Sequence, residues 1–162
     1  MAREAIADTD VVVVTVAPSG PMHDELRGAM HRLEELIVQE APDVRLGAIG
    51  GEGTLEASEV GPLFMDTAEF PAQFRPDSLV ALSVLEDLRA SDDRLDWFVL
   101  SPASEFGAYA PGEATDTYRT GGDVLLRDDE GRSRLSGADL ASAVVDEIER
   151  PAHRGERFTA IS

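Results

Sequence analysis

The feature that most narrows the fold is the run Val11-Val12-Val13-Val14 within DVVVVTVAPSG, residues 10–20. Four β-branched residues in a row are weak helix formers and leave no polar face for water. The segment therefore reads as a strand covered on both sides, the kind that parallel sheets contain. Thr15 and Val16 extend it, and Ala17-Pro18-Ser19-Gly20 stops it at a turn that can touch a ligand. Parallel neighbours are reached only through crossovers of a dozen or more residues, so helices and strands should alternate from here on.

They do. Met22, Leu26, Met30, Leu33 and Ile37 recur at helical spacing after a start signal at Ser19 and Pro21, and Pro42-Asp43 ends that helix. Val44 to Ile49 predicts a second strand leading into Gly50-Gly51-Glu52-Gly53, and residues 54–75 show no sustained period and read as a long loop. Pro76-Asp77 opens a helix faced by Val80, Ala81, Val84, Leu85 and Leu88, and Ala90-Ser91-Asp92-Asp93 closes it. Trp97 to Leu100 predicts a third buried strand, ended by Ser101-Pro102. Turn clusters at Gly121-Gly122 and Asp128-Asp129-Glu130-Gly131 predict a hairpin within residues 117–135. Ser136 and Asp139 have the spacing of a capping box before a helix with Leu140, Ala141, Val144, Val145 and Ile148, and Arg157 to Ile161 makes a last strand. The order describes a single α/β domain over residues 1–162: a parallel, Rossmann-like sheet flanked by helices, with a small hairpin insertion.

Composition excludes several kinds of chemistry. The 162 residues contain no cysteine, so disulfides, thiolate metal sites and thiol catalysis are absent. All 14 basic side chains are arginine, which removes lysine-dependent proton transfer and the P-loop lysine. With 32 acidic residues the net charge is −18, which repels nucleic-acid phosphates and anionic lipid; nucleic acid and membrane are not expected partners. The N-terminus lacks a basic-then-apolar leader, so the expected location is the cytoplasm. His23, His31 and His153 are dispersed, with no metal-ligand spacing, and read as surface or capping residues.

The stretch GAIGGEG formally matches G-x-x-G-x-x-G through Gly47, Gly50 and Gly53. That fingerprint works because a helix starts at once and its N-terminus holds a pyrophosphate. Here an aperiodic segment with Gly61-Pro62 follows, and Glu52 adds a negative charge, so the glycines read as a strand-to-loop turn.

DWFVLSPASEFG (96–107), IGGEGTL (49–55) with FPAQFRPDSLVALSVLEDLR (70–89), and the stretch from Tyr118 to Thr159 together resemble the atypical short-chain dehydrogenase/reductase family. The nearest branch is that of NADH-flavin reductase-like and NmrA-like proteins. The resemblance implies that a strand, a glycine-rich loop and further β-α units, about seventy residues in all, stand before the strand similar to Val11–Val16. The chain is thus expected to be the C-terminal part of a Rossmann domain.

The resemblance further implies a cofactor, NAD(P)H, facing Ala17 and Pro18 near a ribose, Gly50 and Gly51 at the middle strand, and Ser101, Pro102 and Ala103 beside the nicotinamide. Phe74, Arg75, Phe106 and Tyr118 are the implied substrate-pocket residues. Phe74-Arg75 stands where relatives carry Tyr-Lys, and a phenyl ring donates no proton, so no catalytic residue is assigned. Weak or absent dinucleotide binding is expected without the phosphate loop, and the function is an NAD(P)H-binding oxidoreductase-like protein acting on a flavin or small acceptor. The alternative is a non-catalytic dinucleotide-sensing or protein-interaction module. A valine strand without its inner neighbour is expected to pair with its copy, giving a homodimer through Val11–Val16, with apolar surface at Met22, Met30 or Val80 joining the contact.

Overall fold

The computed structural model describes residues 6–162. Its frame is a five-stranded sheet in the order β1-β2-β3-β5-β4, formed by β1 (Val11–Val14), β2 (Arg45–Ile49), β3 (Trp97–Ser101), β4 (Arg119–Gly121) and β5 (Glu156–Ile161). The β1-β2, β2-β3 and β3-β5 pairs are parallel, and β4 alone is antiparallel. Among the described residues β1 is one edge. It is shorter than the expected strand, because the chain leaves the ladder at Thr15 and turns through Ala17 and Ser19, with Ser19 N–H donating to the Ala17 carbonyl at 2.9 Å.

The alternation of side chains across each strand sorts the core into two layers. Val12, Val14, Leu46, Ala48, Trp97 and Val99 meet α1 (Met22–Glu40) and α2 (Arg75–Arg89), which bring Leu26, Met30, Ile37, Val84, Leu85 and Leu88. On the other face Phe98, Leu100, Phe158 and Ala160 meet Ala143 of α3 (Gly137–Glu149), with Val11 and Val13 at the margin. Met30 is buried, and Met22 and Val80 are half-buried and pack against the same core layer. Val12 packs on the same side.

Pro76 sits in the first turn of α2, where its missing N–H costs nothing; Asp77 in that turn and Arg89 in the last suit the helix dipole. Ser136 caps α3 as expected: its Oγ accepts from Asp139 N–H at 3.0 Å. The reciprocal bond differs from a capping box, since the Asp139 carboxylate takes the Ser136 hydroxyl (2.8 Å) and Thr115 N–H (3.2 Å) and so anchors the loop before β4.

One expectation needs correction. The hairpin within 117–135 does not form. A turn exists at 128–131, where Gly131 has φ 79°, but its flanks pair elsewhere. Arg119–Gly121 lies against β5, and Val124 and Arg134 bridge to Glu56 and Glu105. The free side of the buried strand β5 outcompetes a short, polar local partner. The long loop 54–75 is ordered by its own small core of Leu55, Phe64, Met65 and Phe70 with Leu125, and holds three 3-10 turns. No helix among the described residues is long and apolar enough to cross a membrane.

Candidate functional site

Beyond their carboxyl ends β1, β2 and β3 open into one cleft of about 360 Å³. Thr15 to Ser19 forms one wall, Ile49 to Glu52 the floor, and Phe74, Asp77, Ser78 and Ala81 the side given by α2 and the turn before it. Pro102, Phe106 and Tyr109, from the segment after β3, close the third side. Depressions elsewhere are larger, but charged side chains that already hold each other ring them: Asp128 with Arg132 and Glu105 with Arg134 around one of about 500 Å³, and Arg27 with Asp87 beside another of about 590 Å³.

The glycines of GAIGGEG carry packing and turn roles, as the sequence suggested. A Cβ on Gly47 would stand 2.4 Å from Cζ of Phe98, so the bare backbone is what lets that ring lie across β2. Gly50 N–H donates to the Leu100 carbonyl at 2.9 Å and continues the ladder one residue past β2. Gly53 faces Ser78 Oγ at 2.4 Å from where its Cβ would be, which seats the 3-10 turn Glu52–Thr54 against α2. No α-helix starts at the loop, and the dinucleotide fingerprint is therefore not built here.

Of the residues assigned to a cofactor, Ala17, Pro18, Gly50, Gly51 and Pro102 line the cleft. Ser101 and Ala103 do not: at 0 and 1% exposure they lie in the core, with Ser101 Oγ beneath Gly50. Alternation explains this, since a strand that shows one residue at its end hides the next. Of the four substrate-pocket residues, Phe74 and Phe106 reach the cleft. Arg75 turns away to Asp66, its Nη2 donating at 2.8 Å. Tyr118 packs against α3 and donates to Asp146 Oδ2 at 2.5 Å in a separate depression. Burial first, and the Asp146 carboxylate second, push its hydroxyl up to about 12.

The cleft also holds groups that the sequence reading passed over. Asp77 is matched by His23 of α1, with Nδ1 and Oδ1 3.1 Å apart. Tyr109 is exposed and donates to the Ser104 carbonyl at 3.1 Å; burial of its hydroxyl, then the Glu52 charge, raise it. Burial raises the half-buried Glu52 carboxyl as well, opposed only by its own backbone N–H. The signal for Glu52 lay in the sequence as the first charged residue after a strand end, two glycines on.

The opposite end of β2 is closed. Arg45 is buried, its guanidinium 4.6 Å over the Phe98 ring, and donates to Glu147 Oε1 (2.6 Å) and to the Glu147 and His153 carbonyls. His153 N–H and Nδ1 reach the same carboxylate at 3.0 and 2.7 Å, and its ring stacks on Phe158 at 4.1 Å. His153 is thus part of a buried network rather than a surface or capping residue.

A mostly parallel sheet with helices on both faces and a cleft at its strand ends defines a Rossmann-like α/β domain. No family model matches the chain. It is 36% identical over 151 residues to the uncharacterized protein YwnB of Bacillus subtilis, an overlap of 93% of this chain and 70% of that one. It superposes on the crystal structure of a "putative NADH-flavin reductase" from Streptococcus pneumoniae with a TM-score of 0.83 and 28% identity, covering 99% of this chain and 75% of the other. A "putative epimerase" from Bacteroides thetaiotaomicron gives 0.79 and 29%, with 99 and 70% covered. The chain belongs to the atypical short-chain dehydrogenase/reductase family, in the branch that includes YwnB.

Proposed function

We propose that the cleft binds the nicotinamide and ribose end of NAD(P)H and that the protein is an oxidoreductase acting on a flavin or another small acceptor. The observation that carries the reading is the meeting of three parallel strand ends at one partly apolar cleft, where Rossmann sheets place their ligands. The streptococcal neighbour's description as a "putative NADH-flavin reductase" points the same way.

The lining suits one end of such a cofactor. Its apolar walls match a ring, and Ser19, Ser78 and backbone groups at the strand ends can bond a sugar. Among the described residues it offers no arginine to a pyrophosphate, while Glu52 and Asp77 bring carboxylates. A bound reduced nicotinamide would supply hydride; the chain would orient its ring and exclude water. The isolated chain should therefore bind NADH or NADPH more weakly than about 1 μM, or about 8 kcal/mol.

Gly51 tests the location. At φ −120° and ψ 141° it has a conformation open to any residue, so Gly51→Val should fold and narrow the cleft. Fluorescence titration with NADPH should show affinity falling by about tenfold or more. Equal affinity in the variant would move the site elsewhere.

A second reading, dinucleotide sensing without turnover, is favoured by Arg75, which is held by Asp66 and not presented to the cleft. Flavin reduction with NADPH separates the two: binding with no turnover supports the sensor. A rate abolished by joint Tyr109→Phe and Tyr118→Phe substitution would identify a tyrosine as the proton donor and overturn the sensor reading.

A further inference from the structure

Three of the six large apolar side chains exposed among the described residues, Val16, Phe74 and Tyr109, stand around this one cleft. Such a concentration is unlike the scatter of single exposed apolar residues on ordinary surface and marks a contact area for a flat apolar body. With Phe106 across from them, the walls offer ring faces and edges.

The charge of the cleft is as distinctive. None of the arginines among the described residues lines it. Of its two carboxylates Asp77 is paired with His23, which leaves Glu52 as the lining carboxylate without a cationic partner among the described residues. A half-buried carboxyl with no counter-charge is a cost in the empty protein that a ligand carrying a cation or an N–H would relieve.

We propose that Glu52 sets the charge selectivity of the cleft: it admits a planar aromatic ring whose inner edge is cationic or bears an N–H donor, and rejects rings with a carboxylate or phosphate at that edge. The inference rests on reading this cleft as the ligand site. The raised Glu52 carboxyl, caused by burial, is consistent with a group waiting for a partner. Tyr109 is the neighbouring titratable group; its hydroxyl donates to the Ser104 carbonyl, and the Phe106 backbone N–H faces its oxygen.

The test uses three pyridines of one shape at pH 8: 1-methylnicotinamide as the cation, nicotinamide as the neutral ring and nicotinate as the anion. Binding is read by ligand-observed NMR on the full chain. Wild type should bind the cation and the neutral ring about tenfold or more tightly than the anion, and Glu52→Gln should bring all three within about threefold. Equal binding of the three by wild type, or an order unchanged by Glu52→Gln, overturns the role of Glu52. Phe74→Ala, at an exposed position, should weaken all three alike. If it does so while the order fails, the cleft remains the ligand site and only the selectivity is lost. If none of the three binds, or if Phe74→Ala changes nothing, the reading of the cleft falls with it.

Discussion

The two ends of β2 treat a glutamate in opposite ways. At the start of the strand Glu147 is buried and accepts from Arg45, from the His153 ring and from two backbone N–H groups. Burial alone would raise its carboxyl, but these donors outweigh it and hold the group below the ordinary range. Just beyond the strand's other end Glu52 is half-buried with only its own backbone N–H to oppose burial, which raises it. The same residue type, about five residues of strand apart, is structural in one place and available in the other. What separates them is whether the fold brings a counter-charge.

Removing Arg45 should break this contrast most severely. Arg45→Ala leaves Glu147 buried and short of its cation, and a loss of about 3–5 kcal/mol is expected in urea unfolding. A loss below about 1 kcal/mol would mean that the closed end is held by packing alone. Gly47 lies between the two ends, and Gly47→Ala puts a methyl into the Phe98 ring; about 1–3 kcal/mol should be lost through overpacking, whereas an unchanged midpoint would show that the ring can slide aside.

Acid sharpens the comparison, because the signs are opposite. Glu147 is depressed on folding, so the stability it contributes is present above about pH 4.5 and is lost as pH falls through its lower folded value. Glu147→Gln should flatten the acid limb of a stability profile, beneath a stability already reduced at neutral pH by the lost charge pairing; an acid limb as steep as wild type would place the pH sensitivity in other carboxylates. Glu52 is raised, so its contribution is greatest below about pH 4.5 and fades as pH rises through the folded value. The smallest effect follows: Glu52→Gln should be neutral or slightly stabilising at pH 7 by thermal unfolding, in contrast to every change at the other end. A marked loss would reveal a structural partner for Glu52.

The strands and helices were largely legible because each carries its own periodicity: valines and apolar runs for β1 to β3, and 3.6-residue spacing with a proline or serine start for the helices. The hairpin misled because turn residues report where a chain bends, not which strand it then joins. The cleft was half legible. Strand-end position, as the resemblance implied it, placed Ala17, Pro18, Gly50, Gly51 and Pro102 on the cleft. It also drew in Ser101 and Ala103, which the backbone turns inward, and the resemblance drew in Arg75 and Tyr118, whose side chains found acids elsewhere.

The sequence by itself determined the class of fold, the lack of cysteine and lysine in these 162 residues, and where the strands end, because these depend on residue type and local period. Only the tertiary structure decided which charges are spent. Arg45 and Glu147 are 102 residues apart in the chain, and His153 follows Glu147 by six, yet the three meet under Phe98 and Phe158. Glu52 is brought to Tyr109 and Phe106 with no arginine beside it. Electrostatic satisfaction depends on distances of a few ångströms between segments remote in sequence, and those distances exist only once the sheet has assembled.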